Sequence, residues 1–183
     1  MLTKVFKLIS FCFIVQSLSS QDISLPAEAQ RGYVYFKDSQ GHPSLLTFTG
    51  VYKFSSKWKF RQLEIDSSDT AFSDLKKTYN LSNETLTPLA LNNNTLFVLN
   101  GGGYVFKLNE NKLSKIDNSV IQKNQFNSAT FYFDNQVYMH GGYGFWYFKN
   151  YTTFLDNDTG QWEMVYPKQN FLPVGRWKMI SAL

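Results

Sequence analysis

Gln136-Val137-Tyr138-Met139-His140-Gly141-Gly142, then Tyr151-Thr152-Thr153-Phe154-Leu155-Asp156, then Thr159-Gly160-Gln161-Trp162, is the stretch that decides the fold. Each run is short, rich in aromatic and β-branched residues, and bounded by Asn, Asp or Gly. Those are strand and hairpin signals, with no helical period. Upstream, Asn127–Phe133 adds one more such run, closed by an Asp134-Asn135 turn. Four strands joined by hairpins therefore fill 127–168, the second ending in paired glycines and the fourth opening on Trp162.

The same plan recurs upstream. Residues 87–120 hold Thr87–Leu91, Thr95–Leu99 ending in Gly101-Gly102, Gly103–Leu108, and Lys112–Asp117 with Leu113 at the tryptophan place. Residues 31–65 hold Tyr33–Phe36, Ser44–Gly50, Val51–Phe54, and Trp58–Leu63, with a single Gly50 where the pair belongs. Gly101 and Gly141 are 40 residues apart. A four-stranded unit repeating at about 40–50 residues predicts propeller blades. A sheet apolar on both faces needs a neighbour on each face, and radial stacking supplies it. The glycines permit close backbone approach and positive φ. Trp58 and Trp162 are expected to fill the widening space between blades.

Met139-His140-Gly141-Gly142, the downstream Tyr151–Asp156 strand and Gly160-Gln161-Trp162 resemble the kelch repeat of the galactose oxidase/kelch superfamily. The resemblance covers 31–183, with the third unit its most specific match. It implies an all-β, partial kelch-type propeller of about three four-stranded antiparallel blades. Pro173-Val174-Gly175-Arg176-Trp177 resembles the start of a fourth repeat over 171–183, without the usual His. Residues 21–30 read as an N-terminal linker and 66–86 as an irregular polar insertion. Because kelch propellers close with more blades, the chain is expected to be the N-terminal portion of a longer propeller, an incomplete gene product, or a wedge completed by self-association.

Residues 1–20 read as a secretory signal. Lys4 and Lys7 form the basic region, Leu8–Val15 the apolar core, and Ser17-Leu18-Ser19-Ser20 the cleavage region. Its removal takes two positive charges from a formal net charge of +4 and also takes Cys12, the one cysteine. A nearly neutral chain with no Lys/Arg run is a poor nucleic-acid binder. Export without disulfides fits a bacterial periplasmic, secreted or cell-surface protein. No later stretch is long and apolar enough to span a bilayer. The sequons at Asn80, Asn83, Asn93, Asn150 and Asn157 would be glycan acceptors in a eukaryote and incidental in an Asn-rich bacterial chain. Aromatic residues at 17% exclude a disordered chain.

The chemistry-bearing residues are sparse. His42 and His140 are too few for the copper site that the superfamily's oxidase uses, so no metal, cofactor or catalytic residue is expected. Asp156-Asn157-Asp158-Thr159-Gly160 resembles the opening of a calcium loop, but Pro167 stands where the closing Glu belongs, which predicts a hairpin turn. The acids Glu64, Asp66, Asp69 and Asp74 have no spacing that defines a pair. The functional lead is Tyr143-Gly144-Phe145-Trp146-Tyr147-Phe148-Lys149, which links two strands on the face kelch propellers use for partners. Tyr143, Phe145, Trp146, Tyr147 and Lys149, with Arg176 from the next repeat, are the expected binding residues. Gly50, Trp58, Gly101, Gly102, Leu113, Gly141, Gly142 and Trp162 are the expected structural ones. These features predict an exported scaffold that binds protein or carbohydrate. The alternative is the N-terminal part of a galactose-oxidase-like or other propeller enzyme with its catalytic residues beyond Leu183.

Overall fold

A computed structural model describes residues 24–66, 69–101, 103–119, 124–166, 168 and 175. The expected signal stretch 1–20, Gly102 and, apart from Gly175, the expected fourth-repeat segment 171–183 lie outside them. The chain is all-β in class. Three antiparallel sheets follow one another along it. The first has β1 (Val34–Lys37), β2 (Pro43–Leu46), β3 (Gly50–Phe54) and β4 (Trp58–Gln62) in sequential order. The second has β6 (Leu86–Ala90), β7 (Thr95–Leu99), β8 (Val105–Asn109) and β9 (Lys112–Lys115), extended by β5 (Glu64–Ile65) parallel to β9. The third has β10 (Ala129–Phe133), β11 (Gln136–His140), β14 (Thr152–Leu155) and β15 (Trp162–Met164). A separate hairpin, β12 (Tyr143–Gly144) and β13 (Tyr147–Phe148), branches from the third sheet.

Strand register divides each sheet into two faces, since side chains alternate. One face looks back toward the preceding sheet and the other toward the following sheet. Val34, Phe36, Leu46 and Val51 of the first sheet share a core with Leu86, Phe97, Phe106 and Leu113 of the second. Phe36 and Phe97 meet edge to face, with ring centroids 5.2 Å apart. The opposite face of the second sheet, Leu96, Val98 and Val105, packs on Val137, Met139, Leu155 and Trp162 of the third. The middle sheet is thus buried on both faces, which explains the unbroken burial of β7. Among the described residues no helix is long and apolar enough to cross a membrane.

The pairs Phe54↔Trp58, Leu108↔Leu113 and Leu155↔Trp162 occupy one register position in the three sheets. Trp58, Leu113 and Trp162 therefore share one face, the one looking back. Leu113 and Trp162 are buried against the preceding sheet. Trp162 also donates its indole N–H to the Gly103 carbonyl at 2.7 Å. Trp58 has no preceding sheet among the described residues and is only partly buried, against Ala29, Leu45 and Tyr52.

Three expectations need correction. Gly50 does not end the second strand of the first unit; it opens β3. The Thr47 hydroxyl bonds both the N–H and the carbonyl of Gly50, at 3.1 and 2.9 Å, and turns the chain early. Gly50 is needed for space, because an added β-carbon would lie 2.2 Å from the Phe60 ring. Residues 66–86 are not irregular throughout. They carry α1 (Ala71–Thr78), whose Phe72 and Leu75, one turn apart, enter the core between the first two sheets. The 21–30 segment is not a plain linker. A 3-10 helix at Ala27–Arg31 buries Ala29 on the first sheet, and Glu28 accepts the Tyr52 hydroxyl at 2.8 Å.

Candidate functional site

The β12–β13 hairpin turns through Phe145 and Trp146, with φ of +52° and +70°. A two-residue loop positive at both positions matches the strand twist and normally carries Asn-Gly. Bulky side chains there carry backbone strain of about 1–3 kcal/mol each. The rings gain no burial in exchange. Trp146 is 92% exposed, and Phe145, Tyr147 and Phe148 are exposed too.

The base of the hairpin is held firmly. Phe126 and Tyr143 exchange backbone hydrogen bonds, both 2.8 Å, and the Lys149 N–H donates to the Gly142 carbonyl at 2.8 Å. Buried Gln125 donates to the Gly141 carbonyl at 2.9 Å and accepts the Thr153 hydroxyl at 2.7 Å. Two glycines make this crossing possible. Gly101, at φ +87°, lies under the Phe126 ring, where an added β-carbon would come within 2.1 Å. Gly142, at φ +88°, faces the Phe126 carbonyl at 2.8 Å by the same measure. Gly141 also has positive φ.

Lys149 does not face solvent. It is 2% exposed, and its ammonium donates to the Tyr151 hydroxyl at 2.7 Å. The same ammonium lies 4.8–5.2 Å from the ring centroids of Tyr147, Tyr151 and Phe145. Such a cation in an aromatic cage ties the turn residue Phe145 to the second leg of the hairpin and to Tyr151. Of the sequence-expected residues, Tyr143, Phe145, Trp146 and Tyr147 thus meet on one hairpin with Lys149 beneath them. Arg176 lies outside the described residues.

Two clefts flank the hairpin. One of 270 Å³ is lined by Asn124, Phe126, Tyr143, Gly144, Phe145 and Trp146. The other, of 520 Å³, runs from Phe145 and Asn124 to Tyr104, Gly101 and α1. Asn124 borders both, and its buried side-chain oxygen has no hydrogen-bond partner. Sequence reasoning missed Asn124, Phe126 and Tyr151. The first two precede the third unit in a polar stretch, and Tyr151 reads simply as the start of a strand.

The remaining polar candidates serve structure. Asp156 accepts the N–H groups of Asp158 and Thr159 at 3.0 and 2.8 Å, which holds its carboxyl below the usual range and closes the β14–β15 turn. Asp69 accepts the N–H groups of Ala71 and Lys115, at 3.0 and 3.2 Å, and Asp74 pairs with Lys77 at 2.8 Å. Among the described residues no three His, Cys, Asp or Glu side chains converge as a metal site.

His140 is half-buried and shares a 2.8 Å hydrogen bond with the Thr152 hydroxyl. Desolvation lowers its pKa from the ordinary 6.5. The unfolded chain therefore binds more protons at this site than the folded chain does. Its contribution is fully present above about 6.5 and is lost as pH falls through the lower folded value. Urea midpoints are expected to fall between pH 7 and 5.5, and His140→Gln is expected to flatten that dependence.

No protein-family model and no curated protein matches the chain.

Proposed function

We propose that this is an exported kelch-type propeller segment that binds a ligand through the Tyr143–Phe148 hairpin, without chemistry of its own. The observation that carries the reading is Trp146, 92% exposed at the tip of a strained turn on a rigid base. Large exposed aromatics in costly conformations favour a contact role over a packing role. A flat indole stacks on the apolar face of a sugar ring and anchors equally well in a protein pocket. The exposed, flat rings of the hairpin suit the face of a sugar first.

Export follows from the 1–20 stretch and places the hairpin where surface glycans are met. A glycan array probed with the chain and with Trp146→Ala tests the proposal. Signals that disappear in the variant support it. Identical profiles contradict it, and a protein-only ligand would replace the glycan reading while keeping the hairpin.

A further inference from the structure

We propose that the 520 Å³ cleft between α1 and the hairpin seats most of the ligand, and that this ligand is an uncharged oligosaccharide running from Trp146, past Phe145, to α1. This rests on the hairpin reading above and adds to it a second wall, a charge and a chain form.

Two additions to the four-strand plan meet across the cleft. The hairpin interrupts the third unit between β11 and β14, and α1 interrupts the chain between the first two sheets. α1 buries Phe72 and Leu75 in the core. Its Ala71, Asp74, Leu75 and Thr78, with Tyr79 just past its end, line one wall, and Phe145 lines the other. Leu99, Gly101 and Tyr104, from the end of β7 and the turn after it, lie between them. The volume falls within the roughly 300–1,000 Å³ of small-molecule sites. The 270 Å³ cleft shares Phe145 and Asn124 with the larger one and adds Trp146. Trp146 borders only the smaller cleft and α1 only the larger. A ligand that uses both must therefore cross Phe145, which calls for an extended molecule.

The lining fits the two sides of a sugar. Thr78, Tyr79 and Tyr104 carry hydroxyls, which both donate and accept. Leu75, Leu99 and the exposed Phe145 ring offer carbon surface for C–H faces. Asp74 is the one charged residue in this lining, and the Lys77 ammonium balances it at 2.8 Å. Lys115, whose ammonium lies 5.6 Å over the Tyr104 ring, donates to the Asp117 carbonyl. Among the described residues the cleft thus presents a balanced ion pair in place of a cationic patch. That suits a neutral glycan over a phosphorylated, sulfated or carboxylated one.

A glycan array printing neutral and acidic sugars, from single sugars to hexasaccharides, tests this. It is probed with the full chain, Trp146→Ala, Thr78→Trp and Asp74→Asn. Thr78 is exposed in the last turn of α1, so a tryptophan there fills the cleft without entering the core. Asp74 is exposed too, and urea midpoints close to wild type check that all variants fold. The wild type is expected to bind neutral oligosaccharides and to ignore the single sugars they contain. Thr78→Trp is expected to weaken those signals at least about tenfold, and Asp74→Asn to weaken them less. Signals lost in Trp146→Ala and kept in Thr78→Trp overturn the cleft alone. Signals lost in Thr78→Trp and kept in Trp146→Ala overturn the hairpin reading and leave the cleft as the site. Equal signals from single sugars, or a preference for acidic glycans, overturn the proposed ligand class. An array without signals overturns this proposal together with the glycan part of the reading above.

Discussion

Trp162→Ala is expected to destabilise the protein by about 3–5 kcal/mol, the usual cost of removing a buried large aromatic. Trp162 is 2% exposed and is the largest fully buried side chain in the molecule's described part. It bridges Val98 and Val105 of the second sheet to Leu155 of the third. Truncation opens a cavity at this interface and leaves the Gly103 carbonyl without its donor. Small domains are stable by only about 5–15 kcal/mol, so the loss is a large share of the total. Trp162→Phe is expected to cost less, because most of the apolar area stays and one hydrogen bond of about 1–2 kcal/mol is lost. Urea unfolding checks both. The midpoint should fall in the order wild type, Phe, Ala, with little change in slope between wild type and Phe.

Trp146→Ala is expected to show the opposite signature. Its ring is in solvent, so the unfolding midpoint should move little. Trp146→Gly should raise the midpoint modestly, because glycine accepts the φ of +70° without strain. Binding should fall at least about tenfold in both, since an aromatic anchor at a contact centre contributes roughly 2 kcal/mol or more. Titration calorimetry with the ligand from the glycan array measures it. A variant that gains stability while losing its ligand marks a residue kept for contact. Unchanged binding in both variants would remove Trp146 from the site.

The repeat was legible because β-structure writes itself locally. Alternation and turn residues marked the hairpins, and the Trp58, Leu113 and Trp162 positions fell on one face as a shared register requires. The helix was not legible. Phe72 and Leu75 are its two buried residues, too short a pattern to separate from a polar loop, and the partners that stabilise them come from both flanking sheets. The early turn at Thr47 was hidden because Leu45-Leu46-Thr47-Phe48-Thr49 has unbroken strand propensity, while a hydroxyl bond to Gly50 decides where the strand stops. At the site, the aromatic run announced itself. The burial of Lys149 did not, because a cage of rings brought round by a hairpin leaves no sequence signal beyond the residues themselves.

Stacked sheets bury one tryptophan, Trp162, while a hairpin presents another, Trp146. Indole N–H exchange with solvent, followed residue by residue by nuclear magnetic resonance, tests both halves in one experiment. Trp162, between two sheets and bonded to a carbonyl, should exchange only as the sheets open. Trp146 should exchange at the rate of a free indole, and should be the signal that shifts when ligand is added. Equal, rapid exchange at both positions would contradict the stacked interface, and a Trp146 signal unmoved by bound ligand would contradict the site.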